Sequence, residues 1–343
     1  MSYKWGIKMH QMIGEINLDT LGFDTFVEIC KYKTVSNIDI EKLLLTSSYT
    51  KAITLMGGNW GLPYKEQWID YFLYGFQCID NRDNIESMSL IQVQGIEHLK
   101  NARNNIVEIS NVKNKIIKSI SSRQFVKVAS EYLPNTIYED ELEVILLIFM
   151  PNAGGNKSII VDVPFLAPYN EDEISRILAH ELHHILRSKV EKKYLWKDEY
   201  YGVEQALYWL ESEGIADLCN FEETAKIYSD FGYIKLGEVE HILKDIAYYI
   251  KETNDLIVDV LKGRKQSKEL VEFLSVDVRF HVIGYFLAKT ICSTFGNEVV
   301  GSVVGDPIAF VNMYQDACRS NKDHNKYGFS EEMLLLLNDA HIK

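Results

Sequence analysis

The sequence predicts an α+β fold in which helices dominate. Three observations carry that expectation. Apolar residues recur at helical spacing over most of the 343 residues. Two short apolar runs, 143–150 and 158–163, lie between Pro- and Gly-containing turns and read as strands of a small sheet. Directly after them, an amphipathic segment opens at Asn170 and carries the pattern His180-Glu181-x-x-His184.

Residues 1 to 18 read as a short strand or an irregular arm. Segments 23–30 and 38–45 have helical spacing, and 56–63, Met-Gly-Gly-Asn-Trp-Gly-Leu-Pro, is a turn by composition. Trp68, Tyr71, Phe72 and Phe76 line one face of 64–76, an aromatic core face. Long helical stretches follow over 84–119, and a shorter one over 124–133. This mainly helical region, 1–134, holds no catalytic constellation; His10 and His98 are isolated and read as structural or surface residues.

Pro134 marks the boundary to a second domain, 135–343, because the apolar period changes after it. The two strands come first, joined by Pro151-Asn-Ala-Gly-Gly-Asn156, which reads as the turn of an ordinary Gly-rich hairpin. The motif helix, 171–190, has Asn170 as N-cap and Glu173 completing a capping box. Ile174, Ile177, Leu178, Leu182 and Ile185 form its core face. A further helix is expected over 203–228, a long amphipathic one containing His241 over 238–261, and another over 277–291 with His281 and Tyr285 on one face. Residues 330–343 read as a capped terminal helix with 334–337 packed inward. No internal repeat or low-complexity tract interrupts the chain.

Four residues apart on a helix, His180 and His184 project from one face about one turn apart. Two neutral imidazoles so placed can hold one Zn²⁺, with Glu181 as a candidate base. A catalytic zinc takes three protein ligands and keeps one position for water. Glu213, in Glu211-Ser-Glu213-Gly-Ile-Ala-Asp217, can be the third ligand. Asp217, one turn later, can accept the other ring N–H of a ligating histidine, His180, and so fix its tautomer. Glu211 is the rival ligand, and Glu213 and Asp217 can equally be read as solvated surface acids. Gly214 and Ala216 are small enough to let this helix and the motif helix approach closely.

Composition narrows the classes. With 47% hydrophobic and 12% aromatic residues the chain is globular. A net charge of −13 without a long basic stripe argues against nucleic acid as a partner. The basic cluster at 262–268 reads as an exposed loop. Five scattered cysteines, none in Cys-x-x-Cys spacing, suggest buried free thiols and a reducing compartment. The N-terminus lacks the apolar run of a signal peptide, and no stretch of about 18 apolar residues suggests a membrane span. The expected location is cytoplasmic, which favours a processing or regulatory role over a digestive one.

On these motifs the chain resembles the gluzincins, the thermolysin-like zinc metallopeptidases, and more narrowly bacterial families of zinc-dependent peptidases. The likeness is specific over about 142–217 and looser out to 296. The metzincin pattern fails, because Arg187 stands where Gly is required and Val190 where the third His would be. The resemblance implies a zincin-type active-site helix after the small sheet and a helical C-terminal lobe. It implies Zn²⁺ on His180, His184 and Glu213, with Glu181 as general base for peptide-bond hydrolysis. Asn152, Ala153, Gly154 and Gly155 would lie along a substrate-binding edge, and either His281 or Tyr285 would stabilise the oxyanion. A structural reading of the His281–Tyr285 pair stays open beside this. So does another class of function, a non-catalytic zinc-bearing binding or regulatory protein. Against that class stands Glu181, since a structural site has no use for a base.

Overall fold

The computed structural model describes residues 12–57, 61–62, 64–77, 89–155, 157–230, 232, 234–321 and 325–342. His10 and Cys78 lie outside them, as do parts of the expected turn at 56–63 and helix at 84–119. The chain forms two compact units, both discontinuous in sequence: Met1–Phe125 with Glu139–Glu181, and Val126–Tyr138 with Leu182–Lys343. Helices predominate, as the α+β reading expects.

In the first unit, strand β1 (Ile13–Asp19) is followed by α1 (Leu21–Cys30), α2 (Asn37–Leu44), α3 (Ser47–Met56), α4 (Lys65–Gln77), α5 (Leu90–Asn104) and α6 (Ile106–Ser122). Helix α7 (Gln124–Ser130) carries the chain out. It returns as β2 (Glu139–Leu147), β3 (Ala153–Gly155), β4 (Ile159–Asp162) and α8 (Glu171–Arg187). The sheet runs β1-β2-β4-β3. β1, β2 and β4 are mutually parallel, and β3 returns antiparallel along β4. Of the expected N-terminal arm, the part from Ile13 on is therefore a strand of the sheet. Val144–Leu147 and Ile159–Asp162 are fully buried, which is why both read as unbroken apolar runs.

β2 stops at Leu147, three residues short of the expected end, because side chains take over from ladder partners. Tyr49 donates its hydroxyl to Ile148 O and Tyr71 to Phe149 O, each at 2.6 Å. Phe149 N–H donates to Asp162 Oδ1 at 2.8 Å. Both tyrosines sit in the aromatic core with Trp68 and Phe72. Asp162 Oδ2 also accepts from Phe165 N at 2.9 Å and meets His98 Nε2 at 2.6 Å. His98 is thus structural.

The second unit contains β5 (Leu195–Trp196), α9 (Tyr201–Ala216), α10 (Phe221–Asp230), α11 (Glu238–Lys244), α12 (Ile246–Leu261), α13 (Ser267–Ser275), α14 (Arg279–Phe295), α15 (Asn297–Ser302), α16 (Pro307–Ser320), α17 (Glu331–Ala340) and β6 (His341–Ile342), which pairs with β5. Two expected helices are each broken into two. The 203–228 run stops at Ala216 and restarts at Phe221, with Asn220 O accepting from Thr224 N. The 238–261 run is interrupted at Asp245, which leaves helical geometry at φ −102°, ψ 23°. In α17, Ser330 Oγ accepts from Met333 N at 3.1 Å as a cap, and Leu334 and Leu337 pack inward. Leu335 faces out, 66% exposed, as helical period dictates.

Cys219 and Cys318 are buried, Cys30 and Cys292 half-buried, and all four are free thiols. Burial pushes the Cys30 thiol up to about 12. Among the described residues no helix is long and apolar enough to cross a membrane.

Burial opposes the charged form of His98, but the Asp162 charge and hydrogen bond outweigh it and raise its pKa. A group whose folded pKa is raised stabilises below its unfolded value, about 6.5 for His, and loses that contribution as pH rises through the folded value. The thermal midpoint of the wild type relative to His98→Gln is therefore expected to be largest below about pH 6.5 and to shrink at higher pH. Calorimetric melting of both proteins across pH checks it; a difference that grows with pH contradicts the pairing.

Candidate metal centre

α8 begins as the sequence dictates. Asn170 Oδ1 accepts from Asp172 N and Glu173 N, both at 3.0 Å, and Glu173 Oε2 accepts from Asn170 N at 2.7 Å. Ser119 anchors the first turn from α6 by donating to Glu171 O at 2.9 Å. Ile174, Ile177, Leu178, Leu182 and Ile185 are all buried. The helix ends at Arg187, earlier than the expected residue 190. The boundary between the compact units falls after Glu181, inside this one unbroken helix.

In the first unit, β3 presses on the motif. A Cβ at Gly155 would stand 2.3 Å from Glu181 O, so only glycine admits this approach of strand backbone to helix backbone. Asn152 O accepts from Asp162 N at 3.1 Å, making Asn152 and Asp162 a hydrogen-bonded pair. By antiparallel alternation, the main-chain groups of Ala153 and Gly155 then point to the outer edge of the sheet.

In the second unit, α9 supplies the carboxylates. Glu213 Oε2 lies 3.2 Å from His184 Nε2, and Ser212 Oγ lies 3.1 Å from His184 Nδ1. Asp217 is fully buried and meets His281 Nδ1 at 2.7 Å. On its other side, His281 Nε2 is 2.7 Å from the Tyr228 hydroxyl and 3.8 Å from Glu213 Oε2. A carboxylate at Asp217 pairs with a proton on Nδ1, which leaves Nε2 facing the Tyr228 hydroxyl and Glu213. Tyr285 stacks on Phe221, ring centroids 3.7 Å apart and 4° from parallel. Burial, then the charges of Glu222 and Asp217, push its hydroxyl pKa up, so it stays protonated.

What brings α14 to α9 is a pair of glycines. A Cβ on Gly214 would stand 2.3 Å from Gly284 C, and one on Gly284 2.6 Å from Leu210 O. The sequence predicts a close approach to the motif helix; the neighbour that Gly214 admits is α14. Two residues of positive φ, Asp277 at 52° and Val278 at 47°, precede α14; a β-branched residue there is strained.

Glu211, the rival ligand, is engaged elsewhere. Its Oε2 accepts from Arg187 Nε at 2.7 Å and Nη2 at 2.5 Å, and its Oε1 accepts from Gly305 N at 2.8 Å. Burial pushes its carboxyl up, and Arg187 and the Gly305 N–H oppose that. Arg187 also donates to Glu191 at 2.8 Å and lies over the Tyr208 ring at 4.5 Å.

His180, His184 and Glu213 each offer a ligand atom, and these atoms lie within 4.8 Å of one another. Two imidazoles and one carboxylate are the donor set of a hydrolytic zinc site, and the spread suits one ion, so the residues fit the metal. Sequence reasoning missed Ser212, Tyr228 and Arg187. Only Arg187 left a signal, since a cation on the buried side of α8 requires an acid to meet it.

Residues 40–323 match the family model described as "Putative zinc dependent peptidase (DUF5700)", and the chain belongs to that family. No curated protein and no solved structure matches it.

Two outcomes are expected. Gly284→Ala forces a Cβ into the α9 backbone and should destabilise by about 1–3 kcal/mol, with reduced zinc stoichiometry. Melting and metal analysis check this; an unperturbed variant removes the glycine contact from its role. Arg187→Met strands the buried Glu211 and should cost about 3–5 kcal/mol in urea unfolding, far more than Arg187→Met with Glu211→Leu together.

Proposed function

We propose that the protein is a zinc metallopeptidase hydrolysing peptide bonds of an extended polypeptide. The observation that carries this reading is the His180–His184–Glu213 group, with Glu181 on the same helix and against strand β3. Family membership supports the same class. His180 and His184 would hold Zn²⁺ through ring nitrogens and Glu213 through its carboxylate. Bound there, the ion supplies Lewis acidity and lowers the pKa of a water from about 15.7 towards 7.

The chain's own residues do the rest. Glu181, about 100° around the helix from His180, takes the proton from the attacking water and passes it to the departing amine. Ser212 fixes the His184 ring through Nδ1. Asp217 holds the Nδ1 proton of His281, whose ring then faces the Tyr228 hydroxyl and Glu213. With its second ring nitrogen also protonated, His281 would donate from Nε2 and stabilise negative charge on the carbonyl oxygen. Tyr228, not Tyr285, is the hydroxyl beside it. Asn152, Ala153, Gly154 and Gly155 form the edge that pairs with substrate backbone, giving affinity that depends little on sequence.

Glu181→Gln is expected to keep one zinc per chain while lowering peptide cleavage by about 10²–10⁴-fold. His184→Ala should lose both metal and cleavage, and a chelator should abolish wild-type activity until Zn²⁺ is restored. Metal analysis with peptide-library digestion measures all three. A Glu181→Gln protein that is zinc-loaded and fully active rules out the mechanism.

A further inference from the structure

Strand β3 has a second face. Successive side chains in a strand alternate sides, so Gly154 points away from the face on which Gly155 meets Glu181. On that opposite face stands Met56, the last residue of α3. A Cβ at Gly154 would be 2.6 Å from the Met56 Cε and 3.4 Å from its Sδ. Met56 is half-buried rather than sealed in the core. β3 is the terminal strand of the sheet among the described residues.

An extended peptide pairing with β3 bonds to the outward groups of Ala153 and Gly155. Its residue opposite Gly154 then falls at a non-hydrogen-bonded position, and directly opposed residues place their side chains on the same face. That side chain meets Met56. The residues on either side turn to the other face, which carries Glu181. Glycine at 154 contributes no side chain of its own, so Met56 is the wall on that face.

We infer that Met56 is a specificity-determining residue that makes one subsite, opposite Gly154, select an unbranched or flexible apolar side chain of the substrate. The inference rests on the peptidase reading. A thioether is apolar, polarizable and free about three bonds, so it adapts to aliphatic chains but offers nothing to a charged or strongly polar one. The positions flanking that subsite do not contact Met56, and their preference is set elsewhere.

The test is a peptide-library cleavage profile for the zinc-loaded wild type, Met56→Leu, Met56→Ala and Met56→Lys, with zinc content and melting temperature measured for each. The wild type should favour Leu, Met or norleucine at one position. Met56→Leu should retain that preference, and Met56→Ala should admit aromatic side chains. Met56→Lys should disfavour apolar residues at that position by about ten-fold or more in kcat/KM and admit acidic ones. Other positions should be unchanged. If the wild type cleaves peptides but the Met56→Lys profile is the same, the Met56 assignment alone is overturned. If the zinc-loaded wild type cleaves no peptide, the peptidase reading falls and the subsite falls with it.

Discussion

The contact between Gly214 and Gly284 is the constraint on which the second unit's part of the site depends. Helices normally pack about 8–10 Å apart, with side chains between them. Here two backbones touch, and neither position has room for a methyl group. From that point Asp217 lies three residues forward, at the C-cap of α9, and His281 three residues back on α14. Residues three apart share a helix face, so an antiparallel crossing at the glycines carries Asp217 to His281. The 2.7 Å bond between them follows from the crossing. Glu213, adjacent to Gly214, is brought near the same imidazole at 3.8 Å.

Glu211 and Glu213 show how one helix gives two acids opposite tasks. Two residues apart, they point about 200° away from each other, so they cannot serve the same site. Glu211 is fully buried and satisfied by Arg187 and the Gly305 N–H. Glu213 keeps about a fifth of its side chain exposed and faces His184. Arg187 lies three residues beyond His184 on α8, and Glu211 two before Glu213 on α9. Their ion pair therefore fixes the register of the elements that bear His184 and Glu213. Such a pair yields little net stability against an apolar alternative, yet it is costly to break, which suits a role in holding register.

Much of this was legible beforehand because it is local. The capping box, the apolar stripe of α8 and the two strands follow from periods and caps within a few residues. The aromatic face of α4 was recognisable as core, although its use of Tyr71 to satisfy Phe149 O depends on a residue 78 positions away, just past the end of β2. The breaks at 217–220 and at Asp245 were not legible, since no Pro or Gly marks them. Helical spacing resumes in phase after each. Tyr228 gave no signal for a related reason: its partner His281 is 53 residues away, and only the tertiary crossing joins them. His98 looked isolated because Asp162, which it meets 64 residues later, reads in sequence as the end of an apolar strand.

An open sheet edge invites unwanted pairing, and natural proteins blunt it with short strands, charges or bulges. β3 is three residues long and holds two glycines, so it is a weak template for another whole sheet. A single extended segment is a different case, because it needs only the outward groups of Ala153 and Gly155. What keeps those groups in place is the absence of a Cβ at 155, which lets the strand rest on the backbone of Glu181. The strand cannot drift from the helix without opening a void, and it cannot come closer. Under the proposed function, an edge held that way would present the main chain of a bound peptide at a fixed distance from the Glu181 backbone. Main-chain groups are the same in every peptide. Any discrimination must therefore come from what stands on the faces of the strand, and on the face away from the helix that is the end of α3.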